Sequence, residues 1–274
     1  MIIPAPYWVS YPDMALLAEA KPVIIYTSLE NNYKITAQQL EAAITPKTRL
    51  LILNSPSNPT GMAYTEQELK ELAHVLLQHP QVLLASDDIY EHILWSVKKF
   101  INILNVCPQL KERTLVINGV SKAYAMTGWR IGYCAGPKPI IAGMSKIQSQ
   151  STSSPCSIAQ KAAVAALNGD QSCIAMMREA YKKRHDLMLA GLTTIQGAHC
   201  KAADGTFYLF PDMKGVIQRL GLKDDIELAK KILDEAHVAT VPGTPFGGPG
   251  AIRFSTAISE KTLQEALNRL KKIM

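Results

Sequence analysis

The alternation of strand-like and helix-like segments is the feature that most constrains the fold of this 274-residue chain. Short apolar or β-branched runs, which are typical of strands, occur at Val23–Tyr26, Leu50–Asn54, Val82–Ser86, Thr114–Asn118 and Trp129–Ala135. Between the second and third runs, residues 65–79 carry apolar side chains at helical spacing, after Thr65 and Glu68 in the spacing of a capping box. Such alternation predicts a mostly parallel sheet with helices on both of its faces.

The pattern changes in the second half of the chain, where helical periodicity dominates residues 158–167 and 174–192. The weaker signals that follow are three strand candidates and one helix, at Thr206–Phe210, His237–Val241, Ala251–Ser255 and Asp225–Glu235 respectively. A final helix is expected after the cap residue Ser259. We therefore expect a large α/β domain at residues 1–186 and a small α+β domain at residues 187–274.

Composition argues against several functional classes. The net charge is +6, but the basic residues are dispersed, which favours solvated helix faces over a nucleic-acid surface. The alternative is a binding patch at one of the two densest basic groups, which are Lys182–Arg184 and Lys271–Lys272. The five cysteines form no CxxC and no Cys/His metal spacing, so we expect no metal and a cytoplasmic protein with reduced thiols. Neither a membrane span nor a signal peptide is expected from the sequence.

The segment VSKAYAMTGWRIGY, residues 120–133, places Lys122 between two predicted strands, both of the kind that parallel sheets bury. A lysine in such a turn lies at the edge of an open α/β sheet, where ligands bind. A partly buried lysine loses its proton easily, which suits Schiff-base chemistry. The alternative is that Lys122 is an ordinary solvated surface lysine.

Three more segments carry polar residues at or near predicted strands, namely NSPSNPTG (54–61), SDDIYEH (86–92) and AIRFSTA (251–257). The first offers the side-chain amide of Asn58, unless the segment is a plain turn. The second offers Asp87 and the phenol of Tyr90, although Asp87 has the alternative of capping a helix. In the third, Arg253 interrupts an apolar strand, either at a surface edge or as a bidentate partner for a carboxylate.

Together these residue types fit one ligand. A lysine forms a Schiff base, an acid pairs with a ring nitrogen, and a phenol and an amide contact a ring hydroxyl. An arginine with a serine holds a phosphate. This combination indicates pyridoxal 5′-phosphate (PLP) as the cofactor.

The sequence resembles the class I/II aminotransferases of PLP fold-type I, most closely the bacterial aspartate aminotransferases. The motifs that carry the resemblance occur in the family's order and are PYWVSYPDM, NSPSNPTG, SDDIYEH, NGVSKAYAMTGWRIGY, STSSPCSIAQ, GTFYLF, VPGTPFG and IRFSTAIS. They extend from about residue 3 to residue 274. The resemblance implies a large PLP-binding α/β domain with a mostly parallel sheet and a small C-terminal α+β domain.

The resemblance also implies catalytic roles for three residues. Lys122 would form the internal aldimine with PLP and then move the proton between the substrate Cα and the cofactor. Asp87 would keep the pyridine nitrogen protonated. Tyr90 would hydrogen-bond the ring oxygen and lower the proton affinity of the aldimine.

Five further positions would bind cofactor or substrate by the same resemblance. Trp8 would stack on the ring face, and Ser121 with Arg130 would bind the phosphate. Asn58 would contact both the ring oxygen and the substrate, and Arg253 would clamp the substrate α-carboxylate. We also expect a cis peptide bond between Asn58 and Pro59, because Asn58 must turn its amide toward the ring.

The implied activity is amino-group transfer between an amino acid, with aspartate-like substrates favoured, and a 2-oxo acid, by a protein that is a homodimer in the intact family. The family's chains begin upstream of Met1, and residues 1–10 look like a strand entered halfway. We therefore expect an N-terminally truncated chain with an incomplete sheet. One alternative is a truncated, non-catalytic protein that needs an upstream partner segment. A PLP-dependent lyase on the same fold is another.

Overall fold

A computed structural model describes residues 1–96 and 99–274 of the chain. The strands of its main sheet are β1 (Ile2–Ala5), β2 (Val23–Tyr26), β3 (Leu50–Asn54), β4 (Leu83–Asp87), β5 (Thr114–Gly119) and β6 (Gly132–Ala135). Their order across the sheet is β2-β1-β3-β4-β5-β6. The first five strands are parallel, whereas β6 runs antiparallel to β5. The predicted mostly parallel sheet is confirmed.

Helices connect these strands and continue into the second half of the chain. Within the described residues they are α1 (Ser10–Leu17), α2 (Ala37–Ala43), α3 (Glu66–Gln78), α4 (Ile103–Val106), α5 (Lys138–Ser151), α6 (Ser157–Asn168), α7 (Ser172–Leu192), α8 (Lys214–Arg219), α9 (Asp225–Lys231) and α10 (Glu260–Ile273). The predicted helices at 158–167 and 174–192 correspond to α6 and α7. α10 begins after Ser259, whose hydroxyl accepts from the Thr262 N–H, as predicted.

Helix α3 shows how local sequence fixes an element against the main sheet. The Thr65 hydroxyl accepts from the Glu68 N–H at 3.3 Å, and the Glu68 carboxylate accepts from the Thr65 N–H at 2.7 Å. This is the predicted capping box, which satisfies two backbone donors that have no partner within the helix. The apolar face of α3 is buried in one core cluster with side chains of β3 and β4.

A second, three-stranded sheet lies in the carboxyl-terminal part of the chain. Its strands are β7 (Tyr208–Leu209), β8 (Val241–Pro242) and β9 (Ile252–Ser255), in the order β7-β9-β8. Leu209, Ile252 and Phe254 are buried against side chains of α7 and α10 in a core of their own. The predicted domain boundary near residue 187 falls inside α7, and it stays a prediction.

The prediction for Trp129–Ala135 was wrong in two respects. The strand begins only at Gly132, because Trp129 lies in a 3-10 turn and Arg130 adopts left-handed backbone with φ 55°. The strand is also an antiparallel edge strand and not a buried parallel one, with Tyr133 43% exposed. Parallel neighbours need a crossover, usually helical, and residues 120–131 contain no α-helix that could supply one.

The prediction of a strand at His237–Val241 was also wrong over most of its length. His237 has left-handed backbone with φ 54° and ends the π-helical turn Ile232–Ala236 that follows α9. The chain pairs with β9 only at Val241 and Pro242. The strand propensity of residues 237–240 is thus overridden by the left-handed residue that ends the π-helical turn.

The register of the main sheet places the carboxyl ends of its central strands side by side. Asn54, at the end of β3, is the register partner of Asp87, at the end of β4. The Asn58–Pro59 peptide in the loop after β3 is cis, as predicted, and so are Ala5–Pro6 and Ser55–Pro56. Among residues 1–96 and 99–274, no helix is both long and apolar enough to cross a membrane.

Candidate active site

Segments at the carboxyl ends of β3, β4 and β5, together with the start of α1, surround a cavity of about 430 Å³. The residues that line the cavity are Trp8, Tyr11, Asn54, Asn58, Asp87, Ile89, Tyr90, Ile117, Ser121, Lys122, Thr127, Arg130, Ile131 and Gly132. Seven of the eight predicted site residues belong to this lining. The eighth, Arg253, contacts the lining through Asn58.

Lys122 follows β5 and is half-buried, so it is not the fully solvated lysine of the alternative interpretation. Its Nζ lies 5.8 Å from the centre of the Tyr90 ring and 5.7 Å from that of the Phe207 ring. Burial lowers the pKa of Lys122, and the charges of Arg253 and Arg130 lower it further, whereas Asp87 acts in the opposite direction. A larger fraction of the Lys122 amine is therefore in the neutral, nucleophilic form than in an ordinary lysine at the same pH.

Asp87 is the last residue of β4, and a donor contacts each of its carboxylate oxygens. The Tyr11 hydroxyl donates to Oδ2 at 2.6 Å, and the Ile89 N–H donates to Oδ1 at 3.2 Å. Residues 88–96 form turns and no helix, so the helix-cap alternative for Asp87 is wrong. Burial raises the pKa of the carboxyl, and these two hydrogen bonds and the Lys122 charge oppose that effect.

Tyr90 lies on the turn after β4 and is 2% exposed. Its hydroxyl donates to the Tyr208 hydroxyl at 3.3 Å, which joins the cavity to the first strand of the second sheet. Burial raises the pKa of Tyr90 well above its usual range, and the neighbouring Tyr208 and Asp87 reinforce this effect. The phenol of Tyr90 therefore keeps its proton at neutral pH and is a hydrogen-bond donor.

Arg253 projects from β9 toward the loop after β3. Its Nη1 donates to Asn58 Oδ1 at 3.0 Å. The guanidinium carbon lies close to two aromatic rings, 4.5 Å from the centre of the Tyr208 ring and 4.8 Å from that of the Phe246 ring. Within the described part of the chain its Nε is buried and has no hydrogen-bond partner. An oriented guanidinium with a free donor is suited to a carboxylate ligand.

The opposite part of the cavity is more open. Ser121 is half-buried and Arg130 is exposed, with the Arg130 Nη1 donating to the Thr127 carbonyl at 2.9 Å. Trp8, two residues before α1, is 37% exposed and lines the cavity. A hydroxyl and a guanidinium at an open end are suited to an anion, and a planar indole is suited to stacking on a ring.

Sequence reasoning missed two tyrosines that belong to this arrangement. Tyr11 lies one helical turn after Trp8, and that spacing could have placed it beside the cavity. Tyr208 lies in the motif GTFYLF, but that motif does not indicate the contact with Tyr90, which joins residues that are 118 positions apart.

The chain matches the family model described as "Aminotransferase class I and II" over residues 1–270, and it therefore belongs to that family. The expectations of family and of enzyme class are confirmed. The chain is 54% identical to an aspartate/prephenate aminotransferase of Nitrosomonas europaea, an alignment that spans all of this chain and 70% of the relative. It is 48% identical to an aspartate aminotransferase of Bacillus subtilis, with the same coverage of 100% and 70%.

Solved structures give the same result for the fold. An aspartate aminotransferase from Rhizobium meliloti superposes with a TM-score of 0.95 at 47% identity, over 99% of this chain and 69% of that one. An aspartate aminotransferase from Thermus thermophilus with maleate superposes with a TM-score of 0.91 at 40% identity, over 100% and 69% of the two chains. The predicted PLP fold-type I architecture is confirmed. The chain spans about 70% of the length of these relatives.

Proposed function

We propose that this chain is a PLP-dependent aminotransferase that transfers an amino group between an aspartate-like amino acid and a 2-oxo acid. The observation that carries the proposal is the half-buried Lys122 amine, with Asp87 and two arginines close enough to shift its pKa, in a member of the aminotransferase family. A depressed lysine pKa at a sheet edge suits both attack on a carbonyl and proton transfer at carbon.

The residues of the cavity fit PLP. Among the described residues, the Asp87 carboxylate has no cation in hydrogen-bond contact, and the protonated ring nitrogen of PLP would supply one. Asp87 would pair with the ring nitrogen, Tyr90 and Asn58 with the ring oxygen, and Ser121 with Arg130 would hold the phosphate. Trp8 would cover a face of the ring. A cavity of about 430 Å³ is within the size range of cofactor sites.

When bound, PLP supplies an electron sink that stabilises negative charge at the substrate Cα. The remaining chemistry belongs to the chain. Lys122 Nζ holds and returns the proton of the substrate Cα, which requires its neutral form and benefits from its lowered pKa. Tyr90 keeps its phenolic proton and donates it in a hydrogen bond, and the buried Asp87 carboxylate places a negative charge at the end of β4.

Arg253 is the proposed anchor for the substrate α-carboxylate. Its guanidinium is oriented by Asn58 and by the Tyr208 and Phe246 rings before any substrate arrives, so little rotamer entropy is lost on binding. An acidic substrate is favoured by two comparisons. The relatives are named aspartate or aspartate/prephenate aminotransferases, and the Thermus thermophilus structure contains maleate, a dicarboxylate.

The proposal also includes a cytoplasmic homodimer. The cysteines are free thiols, in keeping with a reducing compartment. Apolar side chains are exposed on α5 and α6, with Ile147 72% and Ile158 71% exposed, and such surface is typical of association. Sedimentation velocity would test this part, and a single monomeric boundary at micromolar concentration would contradict it.

The activity is tested with purified protein, added PLP, aspartate and 2-oxoglutarate, with oxaloacetate formation as the signal. We expect PLP-dependent turnover in the wild type and none in Lys122→Ala. Borohydride reduction followed by peptide mass spectrometry should place the cofactor on Lys122. Wild-type protein that neither turns over nor retains PLP after reduction would contradict the proposal.

A further inference from the structure

Tyr11 is a buried residue of the cavity for which neither the motifs nor the proposed chemistry assign a role. It lies on α1 and is 4% exposed. Its N–H donates to the Trp8 carbonyl at 3.0 Å, so the two residues belong to the same turn of chain. Its hydroxyl crosses to β4 and donates to Asp87 Oδ2 at 2.6 Å.

The direction of this hydrogen bond follows from the surroundings. Burial raises the pKa of Tyr11 well above its usual range, and the neighbouring Asp87 raises it further. The hydroxyl therefore keeps its proton and donates, and the carboxylate accepts. A hydrogen bond to an ionised group is about twice as strong as one between neutral groups.

Tyr11 supplies the only side-chain hydrogen bond to the Asp87 carboxylate among the described residues. The other oxygen, Oδ1, accepts from the Ile89 N–H, and Asn54 contacts only the backbone carbonyl of Asp87, at 2.9 Å. Without Tyr11 the carboxylate would keep a single backbone donor. A single hydrogen bond would then leave the Asp87 carboxylate free to rotate about its side-chain bonds.

Tyr11 also supports the indole of Trp8. The two ring centres lie 5.4 Å apart with an interplanar angle of 87°, an edge-to-face arrangement. This geometry is favoured between aromatic rings because the positive edge of one ring meets the negative face of the other. One side chain therefore contacts both a carboxylate and an aromatic plane of the same cavity.

We propose that Tyr11 is a positioning residue that fixes the Asp87 carboxylate through its hydroxyl and the Trp8 indole through its ring, so that both are aligned with the cofactor ring. The inference rests on the proposed PLP-dependent function. The other titratable groups that influence Asp87 are Lys122 after β5, Tyr90 on the next turn and the adjacent Asp88.

The decisive variant is Tyr11→Phe, which keeps the ring and removes only the hydroxyl. In the cofactor-free protein, carboxyl ¹³C NMR should show a higher pKa for Asp87, because the charged form loses a donor. With PLP present, we expect the dissociation constant to rise roughly tenfold, the size expected for loss of a hydrogen bond to a charged group. The pH at which the absorbance change of bound PLP is half complete should rise. A more basic Asp87 carboxylate draws the proton away from the ring nitrogen, and a less positive ring makes the bound cofactor harder to deprotonate.

Tyr64→Phe is the matched control. Tyr64 is half-buried, its hydroxyl accepts from the Ile35 N–H at 3.1 Å, and it does not line the cavity. This variant also loses a hydrogen-bonded hydroxyl, so a purely structural effect should appear in it as a lower melting temperature. The Asp87 pKa and the PLP midpoint should stay at their wild-type values in Tyr64→Phe.

A second substitution covers the case in which Tyr11→Phe does not fold. Replacing Tyr11 by 3,5-difluorotyrosine makes the hydroxyl a stronger donor at nearly constant volume, and it should lower the Asp87 pKa. A folded Tyr11→Phe or difluorotyrosine protein with the wild-type Asp87 pKa would overturn the inference. Failure of the wild type itself to bind PLP would overturn the proposed function, and the NMR titration of Asp87 would still decide the role of Tyr11.

Discussion

At the scale of single residues, the charged side chains around Lys122 have opposing effects on the protonation of its amine. Lys122 is influenced by the guanidinium groups of Arg253 and Arg130, which disfavour its protonation, and by Asp87, which favours it. The same arginines suit the anionic groups of a substrate and a cofactor. Arrival of those anions would weaken the effect of the arginines on Lys122, so the proton affinity of the amine depends on ligand binding.

Lys122→Ala should lower the rate of amino-group transfer by at least roughly a hundredfold, because it removes the proposed general base. Lys122→Arg is the matched control, since the arginine side chain has a similar length and a positive charge but cannot lose its proton at neutral pH. Steady-state assays with aspartate should find both variants inactive. Near-wild-type turnover by either variant would exclude Lys122 from proton transfer.

The depressed pKa of Lys122 predicts a pH dependence in the cofactor-free protein. Trace acetylation followed by mass spectrometry should show Lys122 becoming reactive at lower pH than a lysine side chain in an unstructured reference peptide, since the neutral amine is the reactive form. Arg130→Met removes a positive charge and should shift the Lys122 profile to higher pH. An unchanged profile in Arg130→Met would show that the Arg130 charge does not contribute to the Lys122 pKa.

Arg253→Lys tests the orientation of the carboxylate anchor. Lysine keeps the charge but loses the planar fork and its contacts with the Tyr208 and Phe246 rings. We expect the KM for aspartate to rise roughly tenfold or more, because a bidentate pair becomes a single contact. A KM equal to that of the wild type would place the substrate carboxylate elsewhere.

At the scale of elements, the accuracy of sequence reasoning followed burial. The central strands β3 and β4 lie within about one residue of their predictions, because strands covered on both faces give continuous apolar runs. The edge strand β6 and the two-residue strand β8 were misjudged, since left-handed residues and helix ends determine where they begin. Those features depend on tertiary context and leave little trace in local composition.

For the candidate site, too, local sequence predicted some features, whereas others depended on tertiary context. Asn58, Asp87 and Lys122 follow or end predicted strands, and parallel strands bring their carboxyl ends to one edge, so their proximity could be predicted. The hydrogen bond from Tyr11 to Asp87 could not be predicted, because it joins residues 76 positions apart and depends on how α1 packs beside β4. The roles assigned to the eight site residues stay predictions until the variants above are measured.

The link between β4 and α4 contains a carboxyl group whose burial should make the stability of the fold depend on pH. Burial raises the pKa of Asp88 to about 7, although Ser86 and Asn102 donate hydrogen bonds to it. The folded state therefore holds this proton more tightly than the unfolded state, so the stabilising contribution is full below about pH 4 and is lost as pH rises through about 7.

Asp88→Asn should remove this dependence. Urea unfolding of the wild type should show a free energy of unfolding that falls between pH 5 and pH 8 by on the order of 2 kcal/mol relative to Asp88→Asn. Glu66→Gln, at an exposed position of α3, is the control for loss of a carboxylate. Parallel curves for wild type and Asp88→Asn would place the Asp88 pKa near its ordinary value.

At the scale of the whole molecule, two hydrogen bonds join the cavity lining to the second sheet, one between Tyr90 and Tyr208 and one between Asn58 and Arg253. Ligand binding in the cavity should therefore stabilise the complete fold. PLP at about one hundred times its dissociation constant should add about 2.7 kcal/mol to the free energy of unfolding. Differential scanning calorimetry should show a higher melting temperature with PLP in the wild type and a smaller rise in Lys122→Ala. Pyridoxine, which lacks both the aldehyde and the phosphate, is the control ligand and should leave the melting temperature unchanged.

The hydrogen bond between Arg253 and Asn58 has a consequence for how the protein is made. The two residues are 195 positions apart, and Arg253 lies on β9 of the second sheet. A ribosome that synthesises the chain from its amino end releases all six strands of the main sheet before β9 exists, and such units can fold as they emerge. The nascent protein would then carry Lys122 beside a formed sheet while the substrate anchor is still untranslated. Newly made chains could therefore capture the cofactor before they are able to select an amino acid.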